Sequence, residues 1–158
     1  MESRLITEEV REILENKGFV SIGTSDAKGN PYVMPKFLIT VDNDFIYLAD
    51  YIIGPTFENL KVNPKVSLAV IDIKTLIRYQ INGKAEIIDK GLEFDKLTNE
   101  LKEKEVNFTV ERVVKSIQTG KKDQNFELVF PNRFIVIKIK AKEIVKISSI
   151  GKLEKRSL

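Results

Sequence analysis

Cysteine, histidine and tryptophan are all absent from the 158 residues. Without cysteine there is no disulfide, no thiol nucleophile and no zinc–thiolate site. Without histidine the commonest general base and the commonest metal ligand are gone, which excludes Ser–His–Asp chemistry and His-based zinc sites. Carboxylates alone do not point to a metal, and none is expected. Long apolar runs are also missing. The stretches that exist, such as Phe134 to Ile137, are far short of the ~20 residues that span a bilayer. The N-terminus MESRLITEEV carries acidic residues early and has no apolar segment of the kind that directs export. No membrane association is expected, and the cytoplasm is the default location. Charge of one sign is scarce too: 26 Lys and Arg stand against 23 Asp and Glu, a net +3 spread along the chain. A nucleic-acid binder gathers its cations into a patch. The densest run here, Lys152, Lys155 and Arg156, reads as a solvated terminus. No nucleic-acid partner is expected.

What is present suits one globular unit. The chain is 42% hydrophobic and 31% charged, enough to bury a core, and it shows no linker or internal repeat, so residues 1–158 read as a single domain. Thr7 suits an N-cap, with Glu8 and Glu9 in a first helical turn, Val10, Ile13 and Leu14 on one face and Gly18 as the stop. FVSIGTS, PYVMPKFLITV and FIYLAD then read as three strands of an antiparallel meander, joined by turns at Asp26–Asn30 and Asp42–Asp44. Pro35 lies within the second strand, which marks an edge, a bulge or a ligand-facing break in pairing. A short helix starts at Gly54-Pro55-Thr56 and ends at Asn63-Pro64. VSLAVID and a long strand over Leu76 to Ile88 follow, with Gly83 as a bulge or close approach. Residues 90–120 read as two helices, the second capped by Thr109 and carrying Val110, Val113, Val114 and Ile117 on one face. Lys121-Lys122-Asp123 is a polar loop, and RFIVIKIKAKEIVKI closes the chain as one strand. Hairpin connections dominate, so a mainly β (α+β) antiparallel barrel with peripheral helices is expected, not a parallel sheet.

No GxGxxG and no P-loop occurs. The helix start at Gly54–Asn59 offers free N–H groups, a hydroxyl and a dipole that suit a phosphate, but any helix N-terminus shows this, and ordinary capping is the better reading of the signal taken alone. Lys36 is a cation inside an apolar strand. Arg78, Gln80 and Asn82 share one strand face, and Lys84 follows Gly83. A solvent-facing edge strand would show the same pattern.

Three segments in order, GFVSIGTSDAKGNPYVMP, FIYLADYIIGPTFENLKVNPKVSLAV and RYQINGKAEII, resemble the FMN-binding split-barrel family related to pyridoxamine 5′-phosphate oxidase. The likeness covers about residues 10 to 90. Its most specific parts are Thr56, Asn59, Leu60, Asn63, Pro64 and Val66, and the run Gln80 to Glu86. The resemblance implies an antiparallel six- to seven-stranded Greek-key split β-barrel, working as a homodimer with FMN in clefts at the subunit interface. It implies that Met34, Pro35 and Lys36 form a strand edge against the isoalloxazine ring and that Tyr51 lies in the cofactor site. Thr56 and Asn59 would lie near the phosphate, and Arg78 and Gln80 would reach the flavin from the neighbouring strand. Relatives commonly carry a basic residue just before the phosphate-binding Thr or Ser; here it is Pro55, so the cation must come from Lys36, Arg78, Lys84 or the partner subunit. True pyridoxamine phosphate oxidases end in a region with a Trp and an Arg-rich motif that this chain lacks, which argues against that substrate.

The expected function is therefore an FMN-binding flavoprotein, a small oxidoreductase taking hydride from NADH or NADPH for an acceptor that the sequence does not name. No catalytic residue stands out. Two other readings remain open at this stage. One is a binding or carrier module for flavin, a deazaflavin or haem. The other is a dimeric barrel with no cofactor.

Overall fold

The computed structural model describes residues 4–51, 53–120 and 130–158. Helix α1 (Glu8–Glu15) starts where Thr7 accepts a hydrogen bond from the Val10 amide at 3.4 Å, and it buries Val10 and Leu14. Strands β1 (Phe19–Ser25), β2 (Pro31–Asp42) and β3 (Phe45–Asp50) form the expected meander. The β1–β2 turn places Gly29 at φ 85°, and the β2–β3 turn places Asn43 at φ 51°, a conformation that glycine and asparagine tolerate best. After helix α2 (Pro55–Val62) the chain returns as β4 (Lys65–Ile71) beside β1, not beside β3, which is the Greek-key step. Strand β5 (Arg78–Ile88), helix α3 (Leu92–Thr119) and strands β6 (Ile135–Ile147) and β7 (Leu153–Ser157) complete the order.

The sheet runs β3-β2-β1-β4-β5-β6-β7, and β3 also pairs with β6, closing six strands into a barrel. Strand β6 performs two jobs along its length. Residues from Ile135 to Lys140 pair with β3, and those from Glu143 to Ile147 pair with β7, while β5 lies along its other edge. The barrel interior holds one core, including Ile22, Leu48, Leu68, Ile81, Ile137 and Ile139. A second cluster, including Phe37, Ile39, Tyr47, Ala49 and Val136, fills the space between the outer face of β2, β3 and β6 and Leu97 and Leu101 of α3.

Three expectations are revised. Residues 92–119 form one helix, not two. Neither proline nor glycine interrupts them, and Thr109 does not cap: its hydroxyl donates to the Glu105 carbonyl one turn back at 2.8 Å. The face carrying Val110, Val114 and Ile117 is helical as expected but exposed. The charged tail is solvated yet ordered, because its backbone pairs with β6 as β7; side-chain charge gives no signal for edge pairing of that kind. The long strand begins at Arg78, two residues later than read, because Leu76 takes φ 57° in the preceding turn. The loop read at Lys121–Asp123 lies outside the described residues.

The N-terminal segment is fastened by one side chain. Asp44 Oδ1 accepts from the Leu5 and Ile6 amides at 2.8 and 2.9 Å, and both residues are buried. Asp44→Ala leaves two amides without an acceptor, and a loss of about 1–3 kcal/mol is expected. Urea unfolding would read it as a lower midpoint with an unchanged slope.

Candidate functional site

Strand β2 outruns β3. The β2–β3 ladder begins at Phe37 opposite Ala49, so among the described residues Pro31 to Lys36 pair only with β1. The sequence expectation for Pro35, an edge position, is what the register shows. The direction of the free edge follows from the prolines. Pro35 faces Ser21 and Pro31 faces Ser25, and neither proline can donate, so these are the non-hydrogen-bonded pairs of the ladder. Alternation then turns the N–H and C=O of Tyr32, Met34 and Lys36 toward β1, and those of residues 31, 33 and 35 toward the free side. The open edge thus presents three carbonyls and a single N–H, that of Val33.

Side chains alternate across the same segment. Pro35 and Val33 lie on the outer face with Ser21 and Gly23, while Met34 and Lys36 lie on the face of Ile22 and Val20. Lys36 is 7% exposed, and its ammonium meets Asp50 Oδ1 at 2.7 Å. Its charge is therefore already committed within the barrel. Tyr51, just past the end of β3, packs against Phe130 and Phe134 and donates to Glu105 of α3. Burial, reinforced by the Glu105 carboxylate, pushes its phenol well above the ordinary tyrosine range.

Helix α2 packs on β1, β2 and β5. Asn59 Nδ2 donates to Thr24 Oγ1 at 3.0 Å and Asn63 Nδ2 to Ser25 Oγ at 2.8 Å. Because Thr24 and Ser25 pair with Tyr32 and Pro31, these bonds seat α2 at the start of the open edge. Its N-cap, Gly54, makes no side-chain capping bond, and Pro55 occupies the first turn. The hydroxyl of Thr56 in that turn is 1% exposed as a residue and has no hydrogen-bond partner.

Arg78, Gln80 and Lys84 form a separate group, all exposed on the outer face of β5. Gln80 Nε2 donates to Ser67 Oγ at 3.2 Å and to Asn82 Oδ1 at 3.1 Å, and Asn82 Nδ2 donates to Glu143 Oε1 at 2.9 Å. Glu143 also pairs with Lys155 at 2.6 Å, and these two contacts hold its carboxyl below the usual range. Beside this network lies a cleft of about 560 Å³ with Gly23, Ser67, Asn82, Lys65, Lys84 and Lys142 in its walls, within the size range of small-molecule sites. Sequence reasoning missed Lys65 and Lys142, because only the register of β4, β5 and β6 brings them to Lys84. Among the described residues no group of acidic, histidine or cysteine side chains is placed to hold a metal, and no helix is long and apolar enough to cross a membrane.

Comparison with known proteins agrees with this architecture. An uncharacterized protein of Methanocaldococcus jannaschii, MJ0282, is 33% identical over 99 residues, which is 61% of this chain and 64% of that protein, so the alignment spans less than two thirds of the relative. A Clostridium acetobutylicum protein related to general stress protein 26, of the pyridoxinephosphate oxidase family, superposes with a TM-score of 0.68 at 16% identity, covering 99% of this chain and 96% of its own. A heme binding protein from Mycobacterium smegmatis superposes with a TM-score of 0.64 at 15% identity, covering 99% of this chain and 59% of its own. These structural likenesses show a shared fold. Residues 6–144, from the segment held by Asp44 through most of β6, match the Pyridoxamine 5'-phosphate oxidase family, and the chain belongs to that family.

Proposed function

We propose that the protein binds FMN, with the ring against the free edge of β2, and acts as a small NAD(P)H-dependent oxidoreductase. The observation that carries this reading is the donor and acceptor pattern of that edge. The pyrimidine side of a flavin presents one N–H between two carbonyls. Set one step out of register, the two rows match at two points: the Val33 N–H donates to a flavin carbonyl oxygen and a neighbouring edge carbonyl accepts from the flavin N–H, while Pro31 and Pro35 keep other donors away. The Thr56 hydroxyl supports the reading, because a buried polar atom without a partner is costly unless a ligand completes it. It stands in the first turn of α2, where the N–H groups of Thr56 and Phe57 have no intrahelical acceptor and the dipole favours a phosphate. Bound flavin supplies the hydride and electron chemistry; the chain's residues bind and orient it. A homodimer with the cofactor between subunits belongs to the same proposal. It would let the exposed face carrying Arg78 and Gln80 serve the partner's cofactor.

Haem is the weaker candidate, although a haem-binding protein shares the fold. Haem iron is held by an axial ligand, most often His or Cys, and this chain has neither. A deazaflavin has the same pyrimidine side and would fit the same edge.

The test is the visible spectrum after FMN is added and the excess removed. About one flavin per chain is expected, and a protein that retains none refutes the proposal. Thr56→Val should weaken FMN about tenfold, the scale of one hydrogen bond to a charged group, leave riboflavin unchanged, and cost the cofactor-free protein no stability. Oxidation of NADH or NADPH by the loaded protein separates an enzyme from a carrier.

A further inference from the structure

The cleft on the outer face carries positive charge that no ion pair among the described residues neutralises. Lys65, Lys84 and Lys142 all line it, and among the described residues none of the three takes part in an ion pair. The acidic wall residue, Glu143, is already paired with Lys155. Lys65 and Lys84 stand directly opposite each other in the β4–β5 ladder, a like-charge arrangement that destabilises a sheet.

Lys142 reaches the same cleft only through a break in the ladder. Asn82 pairs with Glu143 and Gly83 pairs with Ala141, so Lys142 is the extra residue of a bulge. In a regular strand consecutive side chains point to opposite faces, yet Lys142 and Glu143 both line this cleft. A bulge re-aims a side chain in this way. Gly23 adds no side chain to the cleft, and Ser67 and Asn82 place hydrogen-bonding groups in the wall.

We propose that this cleft is a binding site for a phosphate ester or diphosphate, held by Lys65, Lys84 and Lys142. The anion would relieve the repulsion between Lys65 and Lys84 and complete the field of the third lysine. The phosphate could belong to the flavin itself or to a separate phosphorylated compound. The inference does not depend on flavin binding.

Inorganic pyrophosphate is the probe, titrated calorimetrically at low ionic strength, where screening is weak. Saturable binding to the wild-type chain is expected, with a loss of about tenfold for each of Lys65→Gln, Lys84→Gln and Lys142→Gln, the scale of one charge-assisted contact. In phosphate-free buffer Lys84→Gln should melt no lower than the wild type, because the opposed charge is gone. Absence of pyrophosphate binding overturns the proposal, as does a triple variant that is folded and binds as tightly as the wild type. Two further titrations identify the source. If saturation with FMN blocks pyrophosphate and the triple variant loses its preference for FMN over riboflavin, the phosphate is the flavin's. If pyrophosphate binds the FMN-loaded protein and the preference persists, it belongs to a second compound. A protein that retains no FMN defeats the flavin reading and leaves the pyrophosphate result to decide this one.

Discussion

Lys36→Met is expected to destabilise the barrel by about 3–5 kcal/mol, the cost of leaving one member of a buried ion pair without the other. The basis is the 2.7 Å contact between Lys36 Nζ and Asp50, whose side chains are 7% and 1% exposed. Methionine matches the stem of lysine, so packing is largely kept and the loss reports the stranded carboxylate. Denaturant unfolding of Lys36→Met, Asp50→Asn and the double variant forms the cycle. The double variant should recover most of the loss, because no net charge is then left inside. A loss below about 1 kcal/mol in Lys36→Met would show that the pair behaves like an exposed one. The same cycle bears on the cofactor. If Lys36 served as the phosphate cation, the folded double variant would lose FMN selectively while still taking riboflavin. The pairing with Asp50 predicts equal retention of both.

Gly83→Ala should be as severe. A Cβ built there collides with the carbonyl oxygen of Lys140 and comes within 3.1 Å of the Lys140 carbonyl carbon and 3.2 Å of Ile139 Cγ2. The obstacle is backbone in a closed barrel, so it cannot rotate away. Overpacking of this kind costs about 1–3 kcal/mol and more where the backbone must move, and the upper end is expected here. Because the bulge sits at this point, the shift should also displace Lys142. A thermal melt reads the stability, and pyrophosphate titration of the surviving fold reads the displacement. An alanine variant with unchanged melting and unchanged anion affinity would mean that β5 and β6 are not held this close.

The strands, their turns and the place of Gly83 were readable because alternation, turn residues and a glycine within a strand are local signals. Pro35 at an edge was readable for the same reason: proline cannot donate to a ladder. The fate of Lys36 was not. Whether a lysine in an apolar strand faces a ligand or an acid depends on Asp50, which meets it only when β2 pairs with β3. Lys65 and Lys142 looked like ordinary surface charge until the β4–β5–β6 register grouped them. Tyr51 followed from the resemblance alone, and its place in the aromatic cluster under α3 emerges only from the fold. The single helix over 92–119 was misread because Thr109 has the chemistry of a cap, and only its bond to Glu105 reveals a mid-helix role.

The open edge of β2 has a consequence for the protein's life in a crowded solution. Unpaired strands invite neighbouring chains to add on, which leads to swapping and fibrils. An incoming strand needs alternating donors and acceptors over several residues, and Pro31 and Pro35 remove the donor at two of the three outward positions. What remains is one short patch centred on Val33, too brief for a peptide to zip onto and about as wide as a single heterocycle. The two prolines thus act as a size filter, keeping the edge open to a small flat molecule while denying it to polypeptide.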